Sequence, residues 1–554
     1  MNELLEKRRE QMFPKLAPAQ MARLAAHGRR IETRAGEVLA EPGRSHQPLL
    51  VVLAGNLEIV LPGTHGEERV TLLSPGDFSG ELSTLRGVAG FTRIRVLEPG
   101  AVLAIEEQNL RKLVQTDAEL SELMLRAFIL RRMGLVSSGQ GEVMLLGSRH
   151  SPGTLRLQEF LTRNAYPHVS IDVEADPDVQ ALLERFHVSM DQIPVVIGGC
   201  GRVFRNPSIS DIAAYLGMNP AIDPAVVHDV LVVGAGPAGL SAALYAASEG
   251  LDVLVVEAAS YGGQAGSSSK IENYLGFPTG ISGLALAGRA FVQAQKFGAT
   301  INVATQSQRL RCKQRPYAIE LSDGRMVQAN AIVTATGAQY REPAIENLHQ
   351  YLGAGIYYAA THLEAQLCQG EEAAVVGGGN SAGQAAVFLA NSCRHVHILV
   401  RSEGLAEGMS RYLIRRIEES PNITLHVRTQ IASLEGNGRL QRTGWRRGSS
   451  SELEMRDIAH VFLMTGAVPN TRWLEGCVAL DDKQFVRTGP DLRAADLAQT
   501  GWPLSRAPSL LETSVPGVFA VGDVRSGNVK RIASAVGEGS ICVQFVHKAL
   551  SKGE

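Results

Sequence analysis

The feature that most restricts the fold of this 554-residue chain is a pattern that occurs twice. The first copy, VLVVGAGPAGLSAALYAASEGLDVLVVE, starts at Val230. Its first apolar run reads as a buried strand, its glycines as a tight turn, its small residues as a helix, and its second apolar run as another strand. The second copy, EEAAVVGGGNSAGQAAVFLANSCRHVHILVRS, starts at Glu371 and keeps the same order. Strand, glycine turn, helix and strand in one unit specify a parallel βαβ crossover, so two open α/β sheets are expected.

Each glycine of the first copy has its own task. Gly234 permits the turn, Gly236 lets the backbone approach a pyrophosphate, and Gly239 lets the helix pack on the sheet. Pro237 and Ala238 start the helix, whose free N–H groups attract phosphate. Glu257 ends the second strand, where a carboxylate accepts from ribose hydroxyls. In the second copy Gly377 and Gly379 are the first two glycines, Asn380 and Ser381 lead into the helix, and Ala382 takes the third place. Its strand ends near Arg401, and a basic residue there suits a 2′-phosphate. Both units read as dinucleotide sites.

Composition excludes other classes. Hydrophobic residues make up 45% and charged residues 20%, with a formal charge of −2. That is ordinary for a globular chain and gives nucleic-acid binding little electrostatic support. The start, MNELLEKRREQMF, lacks the apolar core of a signal peptide, and no long uncharged apolar run suggests a membrane span. A cytoplasmic location is expected. None of the six cysteines lies in a C-x-x-C pair, although long-range pairing stays open.

Residues 1–140 carry short strands punctuated by glycine, as in LLVVLAGNLEIVL, and then a helical repeat, NLRKLVQTDAELSELMLRAFIL. This resembles a cyclic-nucleotide-binding domain with its hinge helix, an all-β roll. In FSGEL, the resemblance implies that Gly80 and Glu81 open the phosphate-binding turn and meet the ribose. The arginine that such domains place on the cyclic phosphate falls at Gly90, so cyclic-nucleotide binding is expected to be weak or absent. Arg86, Arg93 and Arg95 are its possible substitutes.

Residues 141–218 alternate strands and helices and resemble an α/β thioredoxin or glutaredoxin unit, with Pro194 as that family's proline beside the active site. Where such units carry C-P-x-C, the sequence reads HSPGT, so Ser151 and Thr154 replace the cysteines and this unit has no redox dithiol. His150, His168 and His187 lack metal-ligand spacing. Residues 219–227 read as a linker.

The remainder resembles small thioredoxin reductases. The resemblance implies an FAD domain (228–345 and 475–554) with an inserted NAD(P) domain (346–474), both Rossmann-like three-layer α/β folds. It assigns Gly263, Gln264 and Asn273, with neighbouring Glu272, to the flavin through GGQAGSSSKIENYLGFP. It assigns Thr336 and Gly337 through AIVTATGAQYR, and Gly522 and Asp523 through TSVPGVFAVGDV. Arg531, Ile532 and Ala533 would begin a helix under the flavin. The implied chemistry is hydride transfer from nicotinamide to FAD. NADPH is the expected donor, with NADH admissible because Ser402 and Ala406 fill the places of two further arginines, and ferredoxin-fed relatives leave the donor open. A homodimer is the family expectation.

The family's C-A-T-C dithiol falls on AATH, with Ala359 and His362 in the cysteine places. The usual electron relay is therefore absent and the acceptor is open. His362 is a candidate proton donor or acceptor beside the flavin. Cys368 is read as a buried small residue, with a single-thiol role as the alternative. Three readings compete: a flavin oxidoreductase with a non-dithiol acceptor, a flavin-based sensor with little turnover, and a true thioredoxin reductase using non-motif cysteines such as Cys368.

Overall fold

The structure is a computed structural model. It describes residues 9–551 except 64–65, 81–83, 86–89, 91, 138–142, 149–150, 174–188, 190–191, 199–201, 269, 407, 449 and 451. Glu81, Arg86, His150 and His187 thus lie outside the described residues.

The N-terminal region is a roll. Strands Arg29–Thr33, Arg93–Ile105, Leu49–Gly63 and Gly66–Leu73 pair antiparallel in that order, and Val38–Ala40 joins Arg93–Ile105. Helices Glu107–Thr116 and Ala118–Ser137 follow, and Leu110, Leu113, Leu120 and Phe128 are buried with Phe78. Arg131 on the second helix is also buried. It donates to the carbonyls of Met12 (2.8 Å), Ser79 (3.0 Å) and Gly80 (2.8 Å), and its guanidinium lies over Phe78. A buried cation with only donors to offer needs such acceptors, and here they tie the helix to the Gly80 turn.

Next comes a four-stranded sheet in the order His168–Asp172, Val143–Gly147, Val195–Ile197, Val203–Arg205. The first pair is parallel and the others antiparallel. Helix Pro152–Arg163 crosses it, and the Ile193–Pro194 peptide is cis. The stretch read as a linker is held: Asn219 donates to the Val303 carbonyl at 2.7 Å and accepts from its N–H at 2.9 Å.

The first glycine unit builds a sheet in the order Thr300–Asn302, Val253–Val256, Val227–Val233, Met326–Thr334, Tyr317–Leu321, Ser307–Arg311. Val518–Ala520 returns from the far end of the sequence and pairs parallel with Met326–Thr334. Helix Pro237–Ser248 is lined with alanine, which lets Ile532–Leu550 pack closely. A Cβ on Gly539 would lie 2.3 Å from the Ala238 carbonyl oxygen.

The second unit is an all-parallel sheet, Ile356–Tyr357, His460–Leu463, Glu372–Val376, His395–Leu399, Ile423–His426. Its helices are Asn380–Leu389 and Arg411–Glu419, and the antiparallel strands Thr429–Asn437, Arg439–Arg447 and Glu454–Arg456 form a further layer. The two crossings between the units, Ala338–Tyr340 and Ala467–Pro469, pair antiparallel. Asn470 fastens them: it accepts from Thr336 Oγ1 at 2.8 Å through its carbonyl, and its side chain donates to the Thr336 carbonyl at 2.9 Å. Among the described residues, no helix is long and apolar enough to cross a membrane.

Candidate functional site

The first glycine turn is enclosed. Gly234 has φ +104°, and a Cβ there would lie 2.4 Å from the Ala335 carbonyl oxygen. One on Gly239 would lie 1.9 Å from the Gly234 carbonyl oxygen. Gly236 is open except towards the Gly263 Cα, 3.8 Å from its ideal Cβ position. Gly522 has φ +73°, and its Cβ would meet Ala238 Cβ at 2.8 Å. The motifs around residues 234–239, 263, 335–337 and 522 therefore converge from four places in the chain. The open space above Gly236, at the start of helix Pro237–Ser248, is the cradle a diphosphate needs.

Two carboxylates in this cleft differ. Glu257 accepts from the Ala235 N–H at 2.8 Å and the Ala259 N–H at 3.0 Å. Burial still pushes its carboxyl up, and those N–H groups oppose the shift. A carboxylate has about four lone-pair sites, so acceptor capacity remains for a ribose. Asp523 is half-buried, and burial raises its carboxyl with Lys530 countering. Glu538 holds the Asp523 turn from below: it accepts from the Gly522 N–H at 2.7 Å and from Arg525 at 2.6 Å. These residues fit the ribose and ribityl groups of FAD. Gln264, Asn273, Arg531 and Ala533 are exposed, and Ile532 is half-buried. Glu272 pairs with Lys270 at 2.7 Å and with Arg416 of the second unit, so it joins the two units across the cleft.

The second glycine turn repeats the contacts of the first turn's first two glycines. Gly377 has φ +144° and faces the Met464 carbonyl, whose oxygen lies 2.4 Å from its ideal Cβ position. Gly378 meets only Val400, and Gly379 only the Gly408 carbonyl oxygen at 3.9 Å. Asn380 accepts from the Ser410 N–H at 2.8 Å, and Arg401 is exposed. Tyr340 connects the two clefts. Burial pushes its phenol up, a hydrogen bond with Ser381 opposes this, and the Asp523 charge adds to the rise. The Tyr340 phenol thus bonds Ser381 in the second glycine helix and feels the charge of Asp523.

Residues 228–539 match the pyridine nucleotide-disulphide oxidoreductase family. The chain belongs to that family. Residues 30–117 match the cyclic nucleotide-binding domain. NADPH-dependent thioredoxin reductase 3 of Arabidopsis thaliana is 32% identical over 336 residues, covering 59% of each chain. The chain therefore spans about three fifths of that relative's length. The F polypeptide of alkyl hydroperoxide reductase from Pseudomonas putida is 31% identical over 392 residues, 70% of each chain. The crystal structure of T. acidophilum thioredoxin reductase has a TM-score of 0.51 at 28% identity, covering 58% of this chain and 98% of that one.

The segment after Ala360 forms a helix cap. Helix His362–Leu367 begins after Thr361, whose N–H donates to the Glu364 carboxylate at 2.8 Å and whose hydroxyl donates to the same carboxylate. This is half of a capping box. Burial raises the Glu364 carboxyl, and Thr361 opposes that. The His362 side chain lies outside the described residues. Cys368 is fully buried, and its Sγ lies 3.3 Å from Cys393 Sγ. Cys393 and then burial hold the Cys368 thiol well above its ordinary range, so it is a poor nucleophile. Cys312 and Cys477 form a disulfide with Cα atoms 6.0 Å apart.

Of the arginines considered for the cyclic phosphate, Arg93 is engaged by Glu41 and Glu67, and Arg95 by Glu58 and Glu67. Gly80 has φ +91°. In the middle unit Thr154 is buried against Gly147, and Ser151 is half-buried. His168 Nδ1 bonds the Tyr166 carbonyl at 2.9 Å. Among the described residues no cluster of ligating side chains could hold a metal. Sequence reasoning missed Asn470 and Glu538, whose contacts with Thr336, Gly522 and Arg525 are long-range or cross a turn and carry no local signal.

Proposed function

We propose that this chain is an FAD-dependent pyridine-nucleotide oxidoreductase of the thioredoxin-reductase class whose acceptor is not reduced through a local dithiol. The observation that carries this is the first glycine cleft, where the turns at Gly234, Gly239, Gly263 and Gly522 pack on one another, together with the Thr361–Glu364 cap where the resemblance places the dithiol. Bound in the first cleft, FAD would supply an acceptor for hydride from NADPH or NADH and a donor to the final acceptor. The residues around Gly234, Glu257, Thr336 and Asp523 would hold it, and those around Gly377, Ser381 and Arg401 would hold the nicotinamide donor. Residues 141–218 are read as a thioredoxin-like unit without its cysteines, supported by the mixed sheet and the helix Pro152–Arg163 between its two parallel strands.

Regulation by the N-terminal domain has a physical route. Arg131 binds the Gly80 turn, and the next residue, Arg132, donates to the Ala165 carbonyl of the middle unit at 2.5 Å. Asn164 beside it donates to Ser260 of the FAD cleft at 2.9 Å. This route also favours the second reading, a sensor that signals through the flavin. Anaerobic titration of the purified yellow protein with NADPH and NADH distinguishes them. The oxidoreductase reading expects rapid loss of the oxidised flavin band and turnover on a quinone, a dye or oxygen. A flavin that stays oxidised under both donors would overturn it.

A further inference from the structure

The two glycine units do not complete the first cleft alone. Helix Pro152–Arg163 of the middle unit reaches both. At its start Pro152 and Leu155 lie against Gly353 of the second unit; a Cβ on Gly353 would be 2.9 Å from Leu155 Cδ1 and 3.4 Å from Pro152 Cα. At its end Arg163 reaches the Gly263 turn, where Nη2 donates to the Gly263 carbonyl at 2.7 Å. Gly263 has φ +53°, and its ideal Cβ position lies 3.0 Å from Gly236 Cα. The turn that Arg163 holds is therefore packed on the glycine where a diphosphate would approach.

The rest of the Arg163 side chain is placed for a second task. It is 19% exposed. Nη1 pairs with Glu159 at 3.1 Å, but Nε is buried and has no hydrogen-bond partner. A buried guanidinium N–H without an acceptor is costly, and an anionic ligand is its natural complement. The Arg163 charge also acts on Glu257, where it opposes the effect of burial.

We propose that Arg163, contributed by the middle unit, is a positioning residue of the FAD site: it holds the Gly263 turn against Gly236 and sets a cation beside the diphosphate end of the cofactor. The inference rests on the flavoprotein reading above. It gives the middle unit, which has no dithiol of its own, a role in cofactor retention. It also makes that role sensitive to the N-terminal domain, because Arg132 holds Ala165 two residues beyond Arg163.

The test uses the full chain, stripped of FAD and titrated with FAD and, separately, with ADP as a probe of the nucleotide end. Arg163→Gln keeps a donor for the Gly263 carbonyl but removes the charge. It is expected to weaken both FAD and ADP about tenfold, the scale of one charge-assisted hydrogen bond, and Arg163→Lys to restore most of the loss. Asn164→Ala removes the side-chain bonds to Ser260 and to the Phe160 carbonyl but leaves Arg163 in place, and is expected to keep FAD affinity within about twofold of wild type. Glu159→Gln changes a half-exposed surface residue, so it reports even if Arg163→Gln does not fold. By releasing the competing carboxylate it should leave FAD affinity equal to or above wild type. Unchanged FAD and ADP binding by Arg163→Gln would overturn the proposal. So would an equal loss in Asn164→Ala, or a fall in Glu159→Gln. A wild-type chain that binds neither FAD nor ADP would instead defeat the flavoprotein reading itself.

Discussion

The two glycine turns share a sequence pattern and the contacts of their first two glycines, but not the third place or the segments that surround them. Around Gly234 and Gly239 an added Cβ would strike backbone oxygens at 2.4 and 1.9 Å, and segments from four parts of the chain close in. Position for position the first two glycines agree, because a Cβ on Gly377 would lie 2.4 Å from the Met464 carbonyl oxygen and Gly379, like Gly236, meets nothing closer than 3.8 Å. The difference lies at the third place, where Gly239 is pressed on Gly234 and the second unit has Ala382, and in the surroundings, where Arg401 is exposed. An enclosed cleft suits a group that stays bound, and an open one suits a donor that enters and leaves on each turnover. The largest expected effect tests this contrast directly. Gly239→Val must displace backbone, where overpacking costs about 3 kcal/mol or more, so FAD affinity should fall at least ~100-fold or the chain should purify colourless. Gly378→Ala meets only the Val400 side chain and should keep full flavin content. Flavin per chain, read from the absorbance spectrum, checks both; equal losses in the two variants would erase the distinction.

A smaller effect should appear at the open site alone. Arg401→Ala removes the basic group suited to a 2′-phosphate. One lost charge-assisted contact corresponds to about a tenfold drop in kcat/KM with NADPH, while NADH should stay within about twofold. Steady-state kinetics with both donors would show it. Equal losses with the two donors would place Arg401 outside 2′-phosphate recognition and leave donor choice to other residues.

The same contrast explains what could be read from the sequence. The strand, turn and helix of each glycine unit are local patterns, so Gly234, Gly239 and Gly377 announced their geometry. The contacts that join the units are long-range. Tyr340 reaches Ser381, Asn470 latches Thr336, and Arg163 reaches Gly263 across 100 residues of sequence. No local spacing encodes them. The resemblance sets Ala359 and His362 against the family's dithiol. That Thr361 and Glu364 turn the same segment into a helix cap was present as a T-x-x-E pattern but became clear only with the fold. The Cys312–Cys477 disulfide, 165 residues apart, had no sequence signal at all.

The smallest expected effect concerns stability in acid, and it should belong to the second unit only. On adjacent strands of its sheet, His397 Nδ1 lies 3.0 Å from His426 Nε2, with Trp445 against both rings. Glu372 and His395 also face His397, and Arg456 and Glu454 act on His426. Burial first, then His397, pushes His426 down from 6.5 to about 4, and burial lowers His397 as well. Between those values the unfolded chain takes up a proton that the folded chain refuses. Stability therefore falls as pH drops through that window and is fully present above it. His426 is only half-buried, so solvent screening limits the effect, and His426→Gln should recover about 1–2 °C of the melting temperature lost in acid. With Trp473→Phe and Trp502→Phe in the background, Trp445 is the one tryptophan of the chain and its fluorescence reports on this cluster, while flavin fluorescence reports on the first cleft. The tryptophan signal should melt earlier as pH falls from 7 to 5, with His426→Gln narrowing the gap between the two transitions. Coincident transitions unchanged by the substitution would mean that the glycine units, different as their clefts are, unfold as one body.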